Sequence, residues 1–138
     1  MNDNAILLPL MTLVGWTFLV LLNIPFRRFQ ASFQKKVSEA DFAYGESKRV
    51  PPEVSIPNRN YMNLLEAPVL FYVVCLVFYV SGVMIPVLLT LAWSYVGLRV
   101  VHSLIHLTYN RVRHRLLPFA LSNFVLIAMW VLLLKALI

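Results

Sequence analysis

Between Asn4 and Phe26 the chain runs 23 residues without a charge. At about 1.5 Å per helical residue, that run crosses the roughly 30 Å hydrocarbon core of a bilayer with some tilt. A second uncharged run, Ala67 to Leu98, is 32 residues long. As one straight helix it would reach about 48 Å, more than a single crossing uses, and Ser81, Gly82 and Pro86 interrupt it. It reads as parts of two helices joined by a tight hairpin. A last uncharged run, Leu116 to Leu134, supplies a fourth span. The predicted helices cover about 5–27, 60–82, 85–109 and 116–136, with a polar loop over 28–59. Pro118 falls in the first turn of the fourth helix, where a missing N–H costs nothing. Each helix is apolar nearly all round, so the fold class is an all-α membrane protein, a four-transmembrane-helix bundle in one domain over 1–138.

Composition agrees. Hydrophobic residues make up 60% and charged residues 13% of the 138, and the mean hydropathy is +0.76. A chain this short cannot bury that apolar excess within itself. Its single cysteine, Cys75, excludes an internal disulfide framework, and it lies in an apolar run that favours a structural role. No metal-ligand spacing is present among the three histidines. Positive charge gathers in two connections, one holding Arg27, Arg28, Lys35, Lys36, Lys48, Arg49 and Arg59, the other Arg111, Arg113 and Arg115. The positive-inside rule puts both in the cytoplasm and both termini outside. The run near the N-terminus is too long for a signal core and Asp3 precedes it, so no cleavable signal peptide is expected. The net charge of +6 is accounted for by topology and anionic lipid, which leaves no support for a nucleic-acid partner. Within the loop, Phe29, Phe33 and Val37 at four-residue spacing fit either a short amphipathic helix on the membrane surface or a solvated linker.

Ionisable and polar residues interrupt two of the spans. Arg59, Asn63 and Glu66 stand at i, i+4 and i+7 on one face of the second helix, and Arg99, His102 and His106 at i, i+3 and i+7 on the third. Glu66 lies about 9 Å inside its helix and His102 about 10 Å before the end of its own, so the two stripes lie at matching levels. A lone charge in hydrocarbon costs at least about 2.5–3.5 kcal/mol, which predicts that Glu66 pairs with Arg99 or His102. Arg59, Asn63, Glu66, Arg99, His102, His106, Arg111 and Arg115 together make a cationic, hydrogen-bonding recess at the cytoplasmic interface, suited to a small polyanion. Arg113, His114 and Lys135 read as topological or lipid-facing charges, and the tyrosines and tryptophans as interface anchors or packing groups. Pro68, two residues after Glu66, removes a backbone donor and predicts a kink beside the recess.

The run Arg59-Asn60-Tyr61-Met62-Asn63-Leu64-Leu65-Glu66, the Arg99-Val-Val-His102 pair, and Tyr109 through Arg115 leading to Pro118 resemble the membrane-associated proteins in eicosanoid and glutathione metabolism, the MAPEG family, and most of all a bacterial member. The resemblance implies a homotrimer in a bacterial inner membrane, with glutathione as co-substrate and no metal. It places Arg59, Asn63, Glu66, Arg99 and His102 against the tripeptide, Arg115 against its sulfur, and either Arg27 or Arg28 from a neighbouring subunit beside them. Two positions depart from the better-known animal enzymes: His106 and Phe119 stand where tyrosines are found. The activity implied is a glutathione transferase acting on lipophilic small molecules, in detoxification, with hydroperoxide reduction as a further reaction. The alternative is a non-catalytic lipid-binding protein of the same fold. A transporter or channel subunit is disfavoured by the absence of an inverted repeat.

Overall fold

A computed structural model describes residues 3–83 and 85–138. Five helices carry the chain: α1 (Leu7–Phe33, led in by a 3-10 turn at Asp3–Ile6), α2 (Pro52–Leu65), α3 (Ala67–Ser81), α4 (Pro86–Leu107) and α5 (Val112–Leu137). Among the described residues there is no strand, and four segments are long and apolar enough to cross a membrane, α2 and α3 forming one of them together. The chain is a multi-pass integral membrane protein by this architecture.

The helices extend further on the basic side than the charges suggested. α1 continues through Arg27 and Arg28 to Phe33, six residues past the expected end at 27, and α2 starts at Pro52 instead of 60, so the true loop is 34–51. A charge ends the apolar run without ending the helix, because arginine is a good helix former. What stops α1 is backbone: Lys35 takes φ 56°, and the amides of Lys35 and Lys36 close on the carbonyls of Ser32 (2.9 Å) and Ala31 (2.9 Å). Pro51 and Pro52 then pre-set the start of α2. α5 begins at Val112, so Pro118 sits inside the helix and not in its first turn.

The loop is neither a surface helix nor a solvated linker. Phe29 and Phe33 belong to the last turns of α1, while Val37 is buried in a small core with Ala31, Val50 and Val54. Asp41 organises the rest: its carboxylate accepts from the Ser38 amide (2.9 Å), the Ser38 hydroxyl (3.1 Å) and the Ser47 hydroxyl (2.7 Å). Those donors, the Ser38 amide foremost and then the Ser47 hydroxyl, hold the Asp41 carboxyl below its ordinary pKa. Arg28 anchors the loop to α1 through Glu46 (3.2 Å) and lies 4.4 Å above the Phe42 ring.

Within the membrane, Leu13, Phe71, Val74, Cys75, Phe78, Ala92, Tyr95 and Met129 make the central core, with Phe71 stacked on Tyr95 at 4.4 Å. Lipid is as apolar as these side chains, so polar contacts add specificity to the packing. Ser103 on α4 accepts from the indole N–H of Trp16 on α1 (2.9 Å) and from the Asn60 amide on α2 (2.6 Å), tying three helices at one hydroxyl. Ser103→Ala strands two donors, and the expected loss is about 1–3 kcal/mol, read as a lower midpoint in detergent-induced unfolding.

Candidate functional site

The site begins with a broken helix. Pro68 has no N–H to give to Leu64 and its ring crowds that carbonyl, and the chain answers by leaving helical geometry at Glu66 (φ −85°, ψ −102°) before restarting as α3. The last turn of α2 is thereby left with carbonyls that no later amide takes up. Arg99, on the facing side of α4 and only 1% exposed, donates Nη2 to one of them, the Asn63 carbonyl, at 3.0 Å. Its guanidinium lies 5.5 Å from the Phe119 ring centroid and 5.9 Å from that of Tyr95, while Nε and Nη1 have no partner among the described residues.

The expected pairing of Glu66 is overturned. Among the described residues no ion pair within 4.0 Å joins Glu66 to Arg99 or His102. The break gives Arg99 a backbone acceptor to use, and the Glu66 side chain stays exposed.

The turn between α4 and α5 supplies the opposite wall. Asn110 sits in the left-handed region at φ 48°, a conformation asparagine tolerates, and its amide closes on the Ile105 carbonyl at 2.8 Å. That turn brings the Asn110 side-chain oxygen to Arg115 Nη1, at 2.8 Å, so the half-buried guanidinium is held at one end. The Arg115 carbonyl in turn accepts from His102 Nδ1 at 2.9 Å, which fixes the neutral ring as the Nδ1–H tautomer and leaves Nε2 as the bare nitrogen. His106 meets His102 edge-on at 6.0 Å, and both rings are buried.

A cavity of about 270 Å³ results, lined by Asn63, Glu66, His102, Val112, Arg115, Leu116 and Phe119. Of the residues expected to share a recess, Asn63, Glu66, His102 and Arg115 line it, Arg99 is hydrogen-bonded to the backbone of one lining residue, and His106 lies behind His102. Arg59, one turn before Asn63, and Arg111, at the N-terminus of α5, are exposed and outside its lining. Arg27 is exposed on α1, and Arg28 is engaged with Glu46. Sequence reasoning missed Asn110 as the holder of Arg115; an asparagine in a short turn between two helices was the available signal. Val112 in the apolar wall had no signal, because α5 starts before the uncharged run that opens at Leu116.

A model of the MAPEG family matches residues 6–135 of the chain. No curated protein and no solved structure is a match.

Proposed function

The chain belongs to the MAPEG family, and from that premise we propose that it is a membrane-bound glutathione transferase that ionises the glutathione thiol for attack on lipophilic electrophiles. One observation supports this reading above the rest: a cavity of about 270 Å³ with Arg115, Glu66, Asn63 and His102 in its wall. Glutathione carries two carboxylates, one ammonium and one thiol. Glu66, with no ion pair within 4.0 Å among the described residues, suits the ammonium, and Arg99, with two nitrogens unpaired among those residues, supplies positive charge for a carboxylate. Arg59 and Arg111 add cations around the mouth.

Free thiols titrate near pH 8.5, so the sulfur is mostly protonated at neutral pH, and a fixed cation beside it favours the thiolate. Arg115 has the geometry for that role, since Asn110 holds one end of its guanidinium. The thiolate pair then forms the bond to carbon; in a substitution the leaving group departs with its bonding pair, and in an addition the π pair shifts onto the conjugated acceptor, which takes a proton from water. Reduction of a lipid hydroperoxide is a second reaction open to the same thiolate. The proposed assembly is a homotrimer in a bacterial inner membrane, with both basic connections cytoplasmic, where the tripeptide is found.

In that assembly a neighbouring copy brings the end of α1 to the recess. Arg28 is committed to Glu46 and Phe42, so Arg27 is the arginine that reaches across. Titrating the purified protein with glutathione in a calorimeter tests both statements. Saturable binding is expected, weakened about tenfold by Arg27→Gln and much less by Arg28→Gln, whose effect falls on loop order instead. No binding by the wild-type protein would remove the transferase reading and favour a non-catalytic lipid-binding role.

A further inference from the structure

The outer face of α1 carries an apolar stripe that outruns the membrane. Leu8, Met11, Leu19, Leu22 and Phe26 recur at helical spacing, and Phe29 and Phe33 continue the same stripe past the arginine pair; all seven are 61–87% exposed. Ile24 and Ala31, the buried residues of the same region, lie on the opposite side of the helix. From Leu8 to Phe33 the stripe covers about 38 Å, against roughly 30 Å of hydrocarbon, so in an upright crossing its last turn and a half lies at headgroup depth. Water there would face the rings of Phe29 and Phe33.

The groove at this end measures about 400 Å³ and is lined by Phe26, Phe29, Gln30, Phe33 and Gln34. Two cations follow the groove's last lining residue, Gln34, in the chain. Lys35 is exposed immediately beyond the helix, turned by its left-handed backbone, and Lys36 is exposed with only a loose 3.8 Å approach to Glu53. Aromatic rings followed by two side-chain amides and two ammonium groups match, in order, an acyl chain, a glycerol ester region and a phosphate.

We propose that the end of α1 is a binding site for an anionic phospholipid, with an acyl chain along Phe26, Phe29 and Phe33 and the headgroup phosphate on Lys35 and Lys36. The stripe continues the exposed apolar side of α1 without a break, so one acyl chain can follow it into the bilayer. Arg27 projects about 100° round the helix from Phe26, on a different flank. The choice of lipid over a second copy of this chain rests on the proposed trimer, in which the Arg27 flank turns toward the neighbour and the stripe faces outward.

The test is native mass spectrometry of the full-length protein, delipidated in non-ionic detergent and offered equal amounts of phosphatidylglycerol and phosphatidylcholine with the same acyl chains. Wild-type protein is expected to retain phosphatidylglycerol about tenfold over phosphatidylcholine, each nearby cation contributing a few-fold. Lys35→Gln/Lys36→Gln should bring that ratio close to one, and Phe29→Ala/Phe33→Ala should lower retention of both lipids. Glycerol phosphate without acyl chains should fail to compete. An even ratio in the wild-type protein, or a preference that survives the double lysine change, overturns the proposal. So does a changed number of copies in the phenylalanine variant with lipid retention intact, which would make the stripe a contact between copies. None of these readouts involves glutathione, so failure here and failure of the transferase reading remain separate.

Discussion

Arg115→Ala is expected to bind glutathione and not to use it. With the cation gone, the sulfur returns to its ordinary thiol range and the reactive fraction falls, and loss of one preorganised charge at a developing or reacting anion typically costs about 10²–10³-fold in kcat. Conjugation of a generic aromatic electrophile by the detergent-solubilised protein measures the rate, and the ultraviolet absorbance of bound thiolate measures the ionised fraction directly. Both should drop together while calorimetric affinity changes little. Asn110→Ala should give a weaker version of the same pattern, because it frees the guanidinium end that Asn110 holds at 2.8 Å without removing its charge. Wild-type turnover by Arg115→Ala would leave the sulfur without its proposed stabiliser and end that role.

Arg99→Met is expected to separate stability from binding. Arg99 is 1% exposed, makes one hydrogen bond, and has no carboxylate within ion-pair distance among the described residues. Such a charge opposes folding unless compensated, and replacing buried ionic groups with apolar ones of similar volume is often neutral or stabilising. The methionine variant should therefore unfold at the same detergent fraction as the wild type, or a higher one. Its affinity for glutathione should fall about tenfold, the worth of one buried cation acting on a carboxylate through the cavity wall, whose lining does not include Arg99 itself. A variant that unfolds readily but binds normally would make Arg99 a strut between α2 and α4 and remove it from the recognition set.

How much of this was readable in advance differs by residue. The four spans follow from uninterrupted apolar runs, and the two polar stripes from spacing, because helical period converts sequence distance into a shared face. The matching depth of the stripes was also legible, and the hydrogen bond from Arg99 to the Asn63 carbonyl realises it. The partner of Glu66 was not, since charge pairing was inferred among side chains while the structure offers Arg99 a main-chain oxygen. Pro68 signalled a kink; that the kink becomes a full break, with ψ −102° at Glu66, depends on tertiary packing. The end of α1 was misplaced because the bilayer boundary and the helix boundary are different physical events, the first set by charge and the second by the left-handed Lys35. Arg27 and Arg28 were indistinguishable by themselves, and the bond from Arg28 to Glu46, 18 positions away in the chain, was beyond the reach of local pattern.

The acceptor that seats Arg99 belongs to the peptide unit of residue 63, and every amino acid brings the same oxygen. Point mutation at that codon can alter the lining of the cavity, but it leaves this anchor in place. The anchor is inherited instead from the imino acid five positions downstream: a lineage that exchanged Pro68 for an ordinary residue would let the rod heal and withdraw the oxygen, without touching any residue that meets a ligand.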